Sequence, residues 1–118
     1  VTGAALWLRG FGLTIVVEEV VAVPLLRPVE ASRLRRAMAV LVANLTTHPL
    51  VWFFWTRLGW SWATVTCVAE GWAFGFEVLV YRLVFPNAPW KRCTLVSFAA
   101  NASSYLLGLV AVRWGYLR

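Results

Sequence analysis

Basic and turn-forming segments cut this chain into four apolar runs of about 20 residues, the length a helix needs to cross the hydrocarbon core of a bilayer. The runs fall at 10–26, 37–56, 62–81 and 93–112, and the first can begin earlier because only Arg9 interrupts an apolar N-terminus. Pro24, Arg27 and Pro28 close it. The expectation is an all-α integral membrane protein, a four-transmembrane-helix antiparallel bundle forming one domain over 1–118.

Composition agrees with that solvent. Of 118 residues, 61% are hydrophobic and 14% charged, whereas average soluble domains carry roughly 25% charged residues. Too few charged side chains are present to cover a water-facing surface. The net charge of +6 would suggest nucleic acid in a soluble protein, but here the basic residues lie between apolar runs, at head-group level. Nucleic acid is therefore excluded as a partner, and the lipid bilayer takes its place.

Lys and Arg concentrate in cytoplasmic connections. Arg27, Arg33, Arg35 and Arg36 fall in the first connection and Arg82, Lys91 and Arg92 in the third, against Arg9, Arg57, Arg113 and Arg118 on the other side. Segments 27–36 and 82–92 are thus expected in the cytoplasm and both termini outside, in a bacterial-type inner membrane. Trp7, Trp52, Trp55, Trp60, Trp62 and Trp114 fall near the outer interface, where amphipathic rings meet head groups. The turn at about 57–61 is short, with Gly59 available for positive φ, so the second and third helices form a hairpin. Cys67 and Cys93 fall at different depths and are expected as free thiols. No repeat of 20 to 50 residues is apparent.

Against the apolar background, four of the five acidic residues, Glu18, Glu19, Glu70 and Glu77, stand inside the runs. Ionisable groups within a membrane are costly, face a bundle interior or cavity, and mark ion or substrate paths. Glu70, Phe74, Glu77 and Tyr81 share one helical stripe, with the two carboxyl groups about 10 Å apart along the axis. Asn44 and His48 share a face just before Pro49, whose missing N–H frees the carbonyl of Leu45. Ser97, Asn101, Ser104 and Gly108 form a further polar stripe, and Gly71 and Gly75 make a GxxxG that lets another helix approach. Counted in from the helix ends, Glu18, Glu19, His48, Glu70, Asn101 and Ser104 lie near mid-membrane, with Asn44, Glu77 and Ser97 nearer the cytoplasm.

Candidate ion or proton residues are therefore Glu18, His48, Glu70 and Glu77, with Asn44, Asn101 and Ser104 in support. A carboxyl group in a low-dielectric layer can exchange a proton for a cation, the physical basis of coupled transport. A His among carboxylates also suits a divalent metal ion, for which His48 and Glu70 are the candidate ligands. Enzyme signatures are missing: Glu18-Glu19 does not continue into EExxxR because position 23 is Val23, and there is no Gly-rich phosphate loop, CxxC or nucleophile elbow. The leading expectation is conduction or transport of a cation or proton-coupled solute by a homo-oligomer of this chain. The alternatives are a non-catalytic accessory subunit among other membrane subunits and, third, an intramembrane enzyme.

Overall fold

The computed structural model describes residues 3–117, apart from the side chain of residue 56, and it is all helical. Four helices follow in order: α1 (Gly3–Leu25), α2 (Arg33–Phe53), α3 (Trp62–Val84) and α4 (Trp90–Arg113), with a 3-10 turn at Trp55–Arg57. Each runs antiparallel to the next. They close a ring in which α1 packs on α2 and α4, and α3 packs on the same two neighbours.

Local chemistry explains the boundaries. Ser32 caps α2 by accepting the N–H of Arg35, and Ser61 caps α3 by accepting that of Thr64. Each hydroxyl satisfies a donor that the first helical turn leaves free. Gly59 adopts φ 69° in the turn between α2 and α3, as its missing Cβ allows. Helix α1 begins at Gly3, well before residue 10, because Arg9 is accommodated without breaking it: the exposed side chain reaches the Tyr116 carbonyl at 3.4 Å and lies over that ring. Helices α2, α3 and α4 also reach into the basic segments expected to be loops. Arg33, Arg35 and Arg36 are in the first turn of α2, Arg82 in the last turn of α3, and Lys91 and Arg92 in the first turn of α4.

Arg36 is the main departure from a head-group-facing residue. It is buried, and its guanidinium donates to the carbonyls of Val23 (2.6 Å), Ser32 (3.4 Å) and Ala31 (3.5 Å). Pro24 and the turn after it leave Val23 without a helical donor, since the Arg27 N–H goes to Pro24 instead. Arg36 thus clasps the connection between α1 and α2. Arg82 does the corresponding work in the third connection, donating to the Pro86 carbonyl and lying over the Trp90 ring.

The helices approach closely because the inner face is built from small residues, among them Ala22, Ala39, Ala43, Ala69, Ala73 and Ala100. The outer faces carry the large apolar side chains, including Val16 and Val20 on α1, Leu34, Met38 and Leu45 on α2, Leu79 and Leu83 on α3, and Leu106 and Val110 on α4. Helices α3 and α4 are long and apolar enough to cross a membrane. In α1 every eighteen-residue stretch includes Arg9, Glu18 and Glu19, and α2 carries Arg36, Asn44, Thr46, Thr47 and His48. Of these, Glu18, Arg36, Asn44, Thr47 and His48 are buried inside the bundle.

The two hairpins repeat one another. Helix α3 starts and ends 59 residues after α1, at Trp62 against Gly3 and Val84 against Leu25, and α4 starts 57 residues after α2. The connection in the second hairpin is two residues shorter, which accounts for the change of register. In this alignment Glu18 falls on Glu77, Ala22 on Tyr81 and Leu26 on Phe85; Ala43-Asn44 falls on Ala100-Asn101, Thr46-Thr47 on Ser103-Ser104, and Leu50 on Leu107. Most buried positions coincide as well, though Val17, Thr47 and His48 are buried where Phe76, Ser104 and Tyr105 are only partly so. Exchanging the hairpins leaves the helix contacts unchanged, as an approximate two-fold axis along the bundle requires. A spacing of 57 to 59 residues lies beyond the 20 to 50 range in which no repeat is apparent.

Candidate functional site

The repeat brings its two glutamates together. Glu18 and Glu77 are each 1% exposed, and their carboxyl groups lie within hydrogen-bonding reach of one another across the bundle. Each is held by the asparagine of its own hairpin. Asn44 Nδ2 donates to Glu18 Oε2 at 2.7 Å, and Asn101 Nδ2 donates to Glu77 Oε2 at 2.6 Å. The second amide hydrogen of each asparagine goes back to its own helix, to the Val40 carbonyl at 2.9 Å and the Ser97 carbonyl at 2.8 Å. Both amides are thereby fixed with their donors toward the carboxyl groups.

Ser104 Oγ lies 3.2 Å from Glu18 Oε1 and 3.1 Å from the Asn101 carbonyl, and can donate to either. Its counterpart Thr47 turns away, donating to the Ala43 carbonyl at 3.1 Å. One oxygen stays unsatisfied: Glu77 Oε1 is buried and has no donor among the described residues. One turn along α3, the hydroxyl of fully buried Tyr81 is likewise without a partner among them.

The level of the layer is therefore set by Glu18, Asn44, Glu77, Asn101 and Ser104. Placing Asn44 and Glu77 nearer the cytoplasm, as counting from the helix ends suggests, is corrected by their direct bonds to residues counted as central. Each helix starts or stops at a different distance from the layer, and that error shifts the count. Glu19 is only partly buried and takes no part in these hydrogen bonds.

His48 and Glu70 lie outside the hydrogen-bonded layer, toward the end of the bundle that carries the termini. Both line a cavity of about 190 Å³ that Glu18, Asn44, Asn101 and Ser104 also line. Its wall continues to Val112 and Leu117 near the end of α4. A volume of that size holds several waters at about 30 Å³ each. Glu70 makes no hydrogen bond or ion pair with the described residues, so it is the carboxyl group most open to this space.

The metal expectation finds no donor set. Among the described residues, no group of three or more His, Cys, Asp or Glu side chains is placed to hold an ion. His48 Nδ1 accepts the indole N–H of Trp7 at 3.1 Å, which puts its proton on Nε2 and occupies its lone pair. Rings of Trp7, Phe11 and Trp52 surround it. Neither nitrogen of this tautomer is free to ligate. Cys67 and Cys93 are free thiols, one exposed and one buried.

Sequence reasoning named the carboxyl groups and both asparagines but missed their pairing, and it placed Trp7 only in an interfacial belt and Tyr81 only on the stripe of Glu70 and Glu77. The signal for the pairing was present in Ala43-Asn44 followed by two threonines and Ala100-Asn101 followed by two serines. The chain matches no protein-family model, no curated protein and no solved structure.

Proposed function

We propose that all four helices cross a membrane, with the basic ends of α2 and α4 in the cytoplasm and both termini outside, and that the Glu18–Glu77 pair passes a proton or a small monovalent cation. The observation that carries this reading is the meeting of two buried carboxyl groups, one from each hairpin, each anchored by an asparagine. Two carboxylates in contact away from water repel one another. A proton or a cation between them removes that repulsion, and exchange of one for the other couples the two movements. The unsatisfied Glu77 Oε1 is where such an occupant gains a partner.

The cavity supplies the approach from the outer end, with Glu70 as the first carboxyl group met and His48 in its wall. Insertion of α1 and α2 is supported by their apolar outer faces, since Glu18, Arg36, Asn44, Thr47 and His48, which lower their mean hydropathy, are buried inside the bundle. On this reading the bilayer is the principal partner.

The test is flux. Full-length chain reconstituted in liposomes holding a pH-sensitive dye is expected to dissipate an imposed pH gradient, or to convert an imposed Na⁺ or K⁺ gradient into a pH change. Glu18→Gln and Glu77→Gln should each abolish the movement. Liposomes that stay as tight as protein-free ones, with the protein shown to be inserted and helical, would sink the proposal and favour an accessory-subunit role.

A further inference from the structure

We infer that the groove between α3 and α4 binds a small amphiphilic amine, with Glu70 as the acceptor of its cationic group. The inference comes from comparing the two hairpins at equivalent positions. In the first hairpin, the seam between α1 and α2 is filled by this chain's own aromatic rings: Trp7 donates its indole N–H to His48, and Phe11 stands edge-on to the same ring, with centroids 5.1 Å apart. In the second hairpin the corresponding residues are Thr66, Glu70 and Tyr105. A hydroxyl-bearing side chain and a carboxyl group stand where two large rings stand in the first.

The consequence is an open groove of about 460 Å³, lined by Thr66, Gly71, Phe74, Phe98, Tyr105 and Glu70. Gly71 deepens it, since nothing lies within 4 Å of the place a Cβ would take. The lining is almost wholly apolar and aromatic, and Glu70 is its one charged side chain. Glu70 and Tyr105 also belong to the wall of the inner cavity, so the groove meets the polar layer from the side.

The first hairpin shows what shape and chemistry such a seam accepts: a flat aromatic body presenting an N–H to the acceptor on the wall. The second hairpin has Tyr105 at the place of that acceptor and sets a carboxyl group, Glu70, where Phe11 stands in the first, which favours a positively charged N–H donor, and it keeps aromatic faces that attract cations. A groove between the two helices that are apolar enough to cross a membrane is entered through lipid. A protonated amine on an aromatic or alkyl body meets these requirements together.

The test uses tryptamine, which presents an indole with an ammonium group, and its neutral isostere tryptophol, each titrated calorimetrically into detergent-purified full-length chain. Saturable tryptamine binding is expected, with tryptophol at least about tenfold weaker and Glu70→Gln weakening tryptamine by a similar factor. Thr66→Trp with Glu70→Phe, which copies Trp7 and Phe11 into the second hairpin, should abolish binding while leaving helicity unchanged. Where that double variant fails to fold, the tryptophol comparison and Glu70→Gln decide. Glu77→Gln should bind tryptamine as wild type does, which separates this site from the Glu18–Glu77 pair: the groove stands if ion flux is not found. Equal binding of tryptamine and tryptophol, or undiminished binding to Glu70→Gln, would overturn the inference. So would a wild-type dimer that Thr66→Trp dissociates, because the groove would then hold a second copy of the chain.

Discussion

Asn44 and Asn101 perform the same act in the two hairpins: each splits its amide between the carbonyl four residues earlier and the glutamate of the preceding helix. Neither bond is incidental to packing, because all four residues are buried and an amide without partners in that position is costly. Removing either asparagine strips a buried carboxyl group of a donor. Asn44→Ala and Asn101→Ala are each expected to lower stability by about 1–3 kcal/mol, and by similar amounts because the sites are equivalent. Unfolding by sodium dodecyl sulfate in mixed micelles measures both. A loss confined to one variant would deny the equivalence of the hairpins.

Glu18→Gln should behave differently from a deletion. Its new amide can keep the oxygen that accepts from Asn44 and present its nitrogen, at the place of the Oε1 that meets Ser104, to the neighbouring Glu77 carboxyl group. The like-charge contact disappears, Ser104 keeps the Asn101 carbonyl as its acceptor, and the Glu77 carboxyl group gains a donor. The variant is expected to be at least as stable as wild type in the same unfolding assay while losing ion movement. A destabilisation comparable to that of Asn44→Ala would show that the pair is not held as described.

Arg36 and Arg35 are adjacent arginines with opposite prospects. Arg36 is buried and bonds three carbonyls of its own connection, whereas Arg35 is exposed and meets Glu30 at 3.6 Å. Hydrogen bonds from a charged donor contribute about 1.5–3 kcal/mol, while exposed ion pairs contribute about 1 kcal/mol or less. Arg36→Ala should therefore lower the thermal midpoint markedly and Arg35→Ala hardly at all. Arg36→Lys should fall close to Arg36→Ala, since an ammonium group cannot span the three carbonyls as a planar guanidinium does.

Much of the helical plan was legible because apolar runs and a turn glycine are local signals. Gly59 and the run at 62–81 are examples, the latter coinciding with the start of α3. The polar residues were legible for the same reason, as exceptions in an apolar background. What was not legible depends on depth and rotation. Glu18 and Asn44 meet only because α1 starts at Gly3 and α2 at Arg33, and neither boundary follows from hydropathy where Arg9 and Arg36 interrupt it. Arg36 reads as a head-group residue from sequence, because its carbonyl partners are released only by the turn after Pro24. The hydrogen bond from Trp7 to His48 Nδ1 joins residues 41 apart, and no local signal announces it. The repeat escaped because α1 and α3 share few identities away from the Glu18 and Glu77 positions, and the shorter second connection breaks the register between helices.

Glycines separate the faces that the bundle uses from those it leaves open. At Gly10 a Cβ would come within 2.6 Å of the Trp52 ring, and the space is enclosed on that side by α2. Gly71 and Gly75, the GxxxG pair, have nothing within 4 Å of the same position, so no helix of this chain packs on them. Gly10→Val must displace a large ring beside His48 and is expected to cost about 1–3 kcal/mol, the range for overpacking. Gly71→Ala and Gly75→Ala add a methyl group to open space and raise helix propensity by somewhat under about 1 kcal/mol each, so the monomer should be unharmed or stabilised. Thermal unfolding in detergent distinguishes the two sets, and sedimentation of the same samples adds a second reading. A change in mass for Gly71→Ala with no change for Gly10→Val would place a partner helix on the open face. A Gly10→Val protein as stable as wild type would mean that α1 and α2 do not close on one another as they do here.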